Sequence, residues 1–503
     1  MWRQLERGLC ESRFLELRLD WLADDREIAV FVKKLASKRP KATLIATCRR
    51  VEGGGKYRGT VAKQLIHLAD AIHAGCSWYD LEIETASACP PELLRVLLPE
   101  GRQLTSAHFF EGMPANLERI AANLERTRPA AIKIAAQCDS LADSLELIAF
   151  GKSWAQKRRR ETVVMPMGEV ALPTRLLTLR ESGNFMYAPV ENATAPGQIS
   201  LDAMKNLYRA DKLNRKTQVY GVIGDPIGHS LSPQMQNAGF QARRVNAVYL
   251  PFLVHDLKDF VDAIGPLGIR GFSVTIPHKE SILKYLDGCD PLAEAIGAVN
   301  TVIVRSGGKL YGYNTDYVGI LRSLESRMPL PNSRVLILGA GGAAHAVAFG
   351  LAQAGASVYV SSRRPEKAKA LAKASGGHTI AWKHLRHEFF DAILNATPVG
   401  MHPNMDESPL EARELNCRLV FDTIYNPRQT KLLKLAARRG IETVSGVDMF
   451  VAQGTAQWEI WTGQRAPVAA MREAVENALK ESEKKQRATS HQTGRGVRSR
   501  TKV

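Results

Sequence analysis

What most constrains this chain is a succession of short strands that are apolar on one side and charged on the other. In "FLELRLD" a period of two puts Leu15, Leu17 and Leu19 on one face and Glu16, Arg18 and Asp20 on the other. The same rule groups Asp80 with Glu82 and Glu84, Ser106 with His108, and Lys133 with Ala131 and Ala135. Seven such segments, "FLELRLD", "ATLIATCR", "WYDLEIE", "RQLTSAHF", "AAIKIAA", "ETVVMPMG" and "NFMYAPV", alternate with helix-like stretches between residues 14 and 190. An open doubly wound sheet is apolar on both faces, whereas a parallel barrel with a polar mouth collects charged side chains inside. The pattern therefore predicts an α/β barrel. It also predicts an inward Lys133, whose ammonium loses its hydration unless it is paired or gives up its proton.

At 503 residues the chain has room for about three domains of ~150 residues. Its 68 basic and 51 acidic side chains leave a net charge of +17. Seven of the basic ones lie between Lys484 and Val503, with no acid, in a Ser/Thr/Gly/Gln-rich setting, so composition predicts a disordered basic tail over 483–503. The remaining +10 is modest and forms no stripe interleaved with aromatics, so small anionic substrates are expected rather than nucleic acid. The seven cysteines are scattered and form no C-x-x-C pair, which points to a reducing compartment and to neither a disulfide framework nor a metal site. No apolar run approaches ~18 residues and the amino end lacks a signal-peptide core, so a cytoplasmic protein without a membrane partner is expected. A monomer is expected, with a dimer as the alternative.

After a polar, basic connector near residues 208–218, a second β/α region runs to about Ser323. "NSRVLILGAGGAAHAVAFGLAQAGASVYVSSRR" then reads as strand, glycine turn, helix and strand. Gly339, Gly341 and Ala344 fit G-x-G-x-x-G/A, with Ala340, Gly342 and Ala343 completing the loop. Such glycines let the backbone approach a pyrophosphate at a helix amino end. "SSRR" closes the second strand, and Ser362, Arg363 and Arg364 stand where an NAD site shows an acid. Arginine there suits a 2′-phosphate, so NADP is the expected cofactor.

"GDPIGHSLSPQMQNAGF", "GFSVTIPHKE", "AIGAVNTVI" and "GYNTDYVG" precede that loop, and "NATPVGM", "FDTIYNPRQT" and "GVDMFVAQGTAQWEIW" follow it. Together they resemble shikimate dehydrogenase over about 270 residues. The resemblance implies a substrate lobe at 217–325 completed by 447–482, and a Rossmann NADP lobe at 326–446. It further implies hydride transfer between NADPH and the ketone of 3-dehydroshikimate. Lys279 would polarise or protonate the oxygen and Asp316 would hold that lysine, both as catalytic groups. Ser230, Ser232, Thr275, Asn300, Tyr425 and Gln453 would bind substrate, with Thr397 and Met449 beside the cofactor. Gln236 and Ser273 depart from the commonest wording of the family, and quinate is the rival substrate.

Residues 1–210 resemble type I 3-dehydroquinate dehydratase, a (β/α)8 barrel that forms a Schiff base on a lysine. The residues carrying the likeness are Glu16, Arg18, Arg49, His108, Lys133 and Arg175, with "ATAPGQIS" after the last strand. The resemblance implies Lys133 as nucleophile, His108 as the proton-transfer group and Glu52 in "RRVEGGG" as its orienting carboxylate. Arg175 would hold the substrate carboxylate, and Glu16, Arg18, Arg49, Thr194 and Gln198 would bind the rest. The loop carrying Glu52 is one residue shorter than the commonest form, and the barrel's first strand is missing ahead of "FLELRLD". The expectation is a start upstream of Met1 and an active barrel; an inactive, truncated barrel on a monofunctional dehydrogenase is the alternative. The two halves read as consecutive reactions.

Overall fold

The computed structural model describes residues 1–99, 101–180, 185–190 and 199–498. The described residues fall into two compact units, Met1–Arg215 with Lys258–Leu267, and Lys216–Leu257 with Gly268–Val503.

The first unit opens with the helix Trp2–Glu11 and then carries β1 (Phe14–Arg18), β2 (Thr43–Thr47), β3 (Trp78–Glu82), β4 (Gln103–Phe109), β5 (Ala131–Gln137) and β6 (Glu161–Met167). They pair in parallel in strict chain order, β1 to β6, with no reversal. A doubly wound sheet must reverse its order at a switch point, so this is barrel topology. Helices cover the outer face. Leu17, Leu44, Ala46, Tyr79 and Leu81 pack on Ile28, Phe31, Leu35, Leu65 and Leu68, while Ile132 and Ile134 pack on Leu117, Ala121, Leu124 and Leu147. Each such Leu or Ile removed from water contributes about 1.5–3 kcal/mol, and that fixes which face of each strand points inward.

Two expectations differ from the structure. The described residues of "NFMYAPV", Phe185–Val190, form no seventh strand: they make no ladder and lie along β1, with the Phe14 and Phe185 rings edge to face at 5.0 Å. Alternation alone does not make a strand; the ladder needs a neighbour in register. Among the described residues the sheet is thus a six-stranded arc with β1 and β6 as free edges. The tail also differs, because the last helix runs Val468–Arg498 through the segment that composition marks as disordered. Glu, Lys, Gln and Arg are good helix formers, and "ESEKKQR" extends a helix already anchored by Met471, Val475 and Leu479.

The second unit holds two more sheets. One comprises β7 (Gln218–Gly224), β8 (Ala247–Leu253), β9 (Ile269–Val274), β10 (Gly288–Cys289), β11 (Thr301–Val304) and β12 (Leu310–Tyr313), in the order β10-β12-β11-β9-β7-β8. The other is wholly parallel: β13 (Arg334–Leu338), β14 (Ser357–Ser361), β15 (His378–Thr379), β16 (Phe390–Asn395), β17 (Cys417–Asp422) and β18 (Glu442–Val444), ordered β15-β14-β13-β16-β17-β18. Its order reverses at β13, placing a crevice where β13 and β16 diverge. The helix Thr315–Glu325 leads from the first sheet to the second, and Gly446–Thr462 leads back. The two helices pack so closely that a Cβ on Gly319 would lie 2.8 Å from the Met449 carbonyl oxygen and 3.0 Å from Gln453 Cβ.

Candidate active sites

The inner face of the barrel gathers around Lys133, which is 3 % exposed in the middle of β5. Asp80 of β3 accepts hydrogen bonds from Lys133 Nζ, from Arg49 Nη2 at 3.1 Å and from Ser106 Oγ at 2.5 Å. Burial lowers the Lys133 pKa, with the Asp80 charge opposing. Burial alone would raise that of Asp80, but the charges of Lys133 and Arg49 hold it below the carboxylate range. Glu16 Oε1 accepts from Thr47 Oγ1 at 2.7 Å, and Arg18 grips the buried Asp20 at 3.0 and 2.8 Å, so both side chains are fixed before a ligand arrives. Arg175 is buried on the helix Leu172–Thr178, where desolvation draws its pKa down to about 10. Thr194 and Gln198 lie outside the described residues.

His108 follows on β4, two residues beyond Ser106. Burial, then the charges of Arg49 and Lys133, push its pKa well below the ordinary imidazole value. Its Nδ1 is buried without a partner among the described residues. The expected carboxylate does not reach it: the Glu52 side chain is 61 % exposed and accepts from Arg50 Nη2 at 2.8 Å. The short loop explains this, because after the tight turn Val51–Gly53 it is Gly53 that faces inward, its ideal Cβ 3.4 Å from Glu82 Cγ. Asp80, grouped by alternation on the charged face, emerges as the hub of the site. The signal was its period-two position; its partner Lys133 lies 53 residues away.

In the second unit a cavity of about 290 Å³ brings together Ser230, Ser232, Thr275, Lys279, Asn300, Asp316, Tyr425, Met449 and Gln453. Lys279 Nζ donates to Asp316 Oδ2 at 2.7 Å, and Asn300 Nδ2 donates to Asp316 Oδ1 at 2.8 Å. Asn300 is itself fixed, its Oδ1 accepting from Thr315 N and Thr301 Oγ1, each at 2.7 Å. The two unusual positions join a buried network. Tyr249 Oη donates to Ser273 Oγ at 2.6 Å and Ser273 Oγ to Gln457 Oε1 at 2.9 Å, while Gln236 Nε2 donates to the Gly454 carbonyl at 2.9 Å. Gln457 lines the cavity unforeseen, yet it stands four residues after Gln453 on one helix face.

A larger cavity, about 1030 Å³, is lined by Gly339, Ala340, Gly341, Ser362, Arg363, Arg364 and Thr397. Gly342 and Ala343 begin the helix Gly342–Gln353 at its edge. Gly339 has φ +117° and an ideal Cβ 2.9 Å from the Ala396 carbonyl oxygen, so only glycine fits there. A Cβ on Gly341 or Gly342 would meet nothing within 4 Å, which leaves their amides open to a ligand. Asn395 Oδ1 fixes Thr397 through its amide at 3.0 Å and its hydroxyl at 2.6 Å. An open helix amino end with two arginines across the cleft fits a dinucleotide with a third phosphate. Among the described residues no cluster of side chains fits a metal ion, and no helix is long and apolar enough to cross a membrane.

Comparison with known proteins gives matches to both halves. Residues 2–215 match the type I 3-dehydroquinase model. Residues 222–302 match the shikimate dehydrogenase substrate binding domain, and 446–476 the shikimate 5'-dehydrogenase C-terminal domain. Residues 334–423 match the model of an NADP oxidoreductase, coenzyme F420-dependent. The bifunctional 3-dehydroquinate dehydratase/shikimate dehydrogenase of Arabidopsis thaliana, a chloroplastic protein, is 35 % identical over 476 residues, covering 90 % of this chain and 78 % of that protein. A shikimate dehydrogenase (NADP(+)) of Bacillus cereus is 45 % identical over 270 residues, 51 % of this chain and 97 % of that one. The crystal structure of a shikimate dehydrogenase in complex with NADP+ superposes with a TM-score of 0.50 at 41 % identity, covering 53 % of this chain and 97 % of that one.

Proposed function

Because the chain belongs to the family of bifunctional 3-dehydroquinate dehydratase/shikimate dehydrogenases, we propose that its barrel dehydrates 3-dehydroquinate and its second unit reduces the resulting 3-dehydroshikimate with NADPH. The observation that carries the first step is a buried lysine amine on the inner face of the barrel, held by a buried carboxylate. Burial lowers its pKa, which shifts the lysine toward the neutral amine that attack on a ketone requires. Lys133 adds to the substrate ketone, the carbinolamine loses water, and the iminium accepts the electron pair released when His108 removes the neighbouring proton. His108 returns that proton to the departing hydroxyl, and water hydrolyses the imine to free 3-dehydroshikimate and Lys133. Asp80 holds the amine and Arg49 in place, and Arg175 meets the substrate carboxylate.

In the second unit Lys279 donates a proton to the ketone oxygen, and Asp316, steadied by Asn300, fixes the ammonium. Ser230 and Ser232 receive the carboxylate, and Thr275, Tyr425 and Gln453 the ring hydroxyls. Gly339 to Ala343, Ser362, Arg363, Arg364 and Thr397 hold NADP, with Met449 against its nicotinamide. When bound, that cofactor supplies the hydride. Seven free thiols suit a reducing compartment such as the cytoplasm, and the chain is read as a monomer.

Sodium borohydride added with 3-dehydroquinate tests the first step. The expected product is a covalent mass adduct on Lys133, lost in Lys133→Ala. No adduct in the parent chain would support the alternative, an inactive barrel, which His108 Nδ1, without a partner among the described residues, favours. Side-by-side turnover of shikimate and quinate decides the second substrate.

A further inference from the structure

One aromatic group in the barrel has no part in the scheme above. Tyr187 lies in the segment Phe185–Val190, whose ring neighbours hold it against β1. Phe185 meets Phe14 at 5.0 Å and Tyr187 at 5.7 Å, both edge to face. The Tyr187 ring centroid is 4.9 Å from Lys133 Nζ. Its hydroxyl is buried and has no partner among the described residues. It lines, with Glu16 and Arg18, a cavity of about 270 Å³. A buried phenol normally finds a partner, and one left over inside a polar site is a donor waiting for a ligand oxygen.

We propose that Tyr187 is a substrate-binding residue of the barrel: its hydroxyl donates to an oxygen of the bound polyhydroxy keto acid, and its ring covers the Lys133 amine. The assignment rests on the dehydratase reading above. Burial, then the charges of Glu16 and Asp80, keep the phenol protonated well above its ordinary range, so it remains a donor wherever the enzyme works. Glu16 and Asp80 are acceptors only when ionised, and Arg18, Arg49 and Lys133 are donors that carry charge. Tyr187 adds a neutral donor beside the Lys133 amine. Its ring keeps bulk water from the amine, a desolvation that lowers the Lys133 pKa, while its π face attracts the ammonium that remains.

Tyr187→Phe and Tyr187→Ala in the full chain test this, with 3-dehydroquinate as the probe. Loss of one neutral hydrogen bond to substrate predicts a KM about tenfold higher in Tyr187→Phe, with kcat within about threefold. The borohydride adduct on Lys133 still forms. Tyr187→Ala, which also removes the ring, is expected to slow adduct formation by a further factor of about ten at pH 7, with part of the loss recovered at higher pH as the amine deprotonates. A denaturation midpoint of the barrel equal to that of the parent chain reports that both variants are folded, since dehydrogenase turnover reads the other unit. An unchanged KM in Tyr187→Phe, in a parent that forms the adduct, overturns the inference alone. No adduct in the parent chain overturns the dehydratase reading and this inference with it.

Discussion

Asp80 shows most sharply what one residue contributes. It faces two cations and a hydroxyl within a region from which water is excluded. Removing its charge leaves Arg49 and Lys133 buried without compensation, which costs about 3–5 kcal/mol. Asp80→Asn is therefore expected to lower the denaturation midpoint of the barrel and abolish most dehydratase turnover, while dehydrogenase turnover persists. Denaturant titration followed by both assays checks it. His108 carries a pH prediction. Because burial lowers its pKa, the imidazole stays neutral and able to take a proton at pH values below 6.5. An NMR titration of the His108 imidazole is expected to place its midpoint below pH 6.5, and a midpoint above it would contradict the buried setting. Sequence made Lys133 legible because Ile132 and Ile134 are claimed by the helices, leaving the lysine the other face. It misplaced Glu52, because in a shortened loop a shift of one residue exchanges the inward and outward positions.

At the scale of elements, the six strands of the arc and the glycine turn were legible because each is set by local periodicity and a turn that only glycine accepts. The segment Phe185–Val190 was not, since a ladder depends on a neighbour that alternation cannot reveal. Nor was Gln457, whose value depends on β9 carrying Ser273 and β8 carrying Tyr249 to the same buried point. The close packing of Thr315–Glu325 on Gly446–Thr462 carries a prediction. Gly319→Ala places a methyl 2.8 Å from the Met449 carbonyl oxygen, so the helices must separate by a few tenths of an ångström. Gln453 and Met449 move with them. The KM for shikimate is expected to rise about five- to tenfold, with stability lower by about 1–3 kcal/mol, read by steady-state kinetics and thermal melting. Unchanged kinetics would mean that this contact does not position Gln453.

For the whole molecule, the net charge is uneven: 7 of the 17 net positive charges fall after residue 483. Deleting 484–503 is expected to leave both activities within about twofold and to abolish any salt-sensitive retention on a polyanionic matrix. Retention that survives the deletion would locate an anionic-polymer surface on the folded part. The division into a dehydratase and a dehydrogenase was legible from motif order, because the motifs of each half follow one another along separate stretches of the chain. The cofactor lobe, by contrast, is an insertion in the substrate lobe, entered through Thr315–Glu325 and left through Gly446–Thr462. Two connections lying side by side act as the pins that join the two lobes. Asp316 sits at the foot of one pin, and Met449 and Gln453 sit on the other. The reacting groups are thereby mounted on the junction itself, so the packing of these two helices sets the alignment of the chemistry.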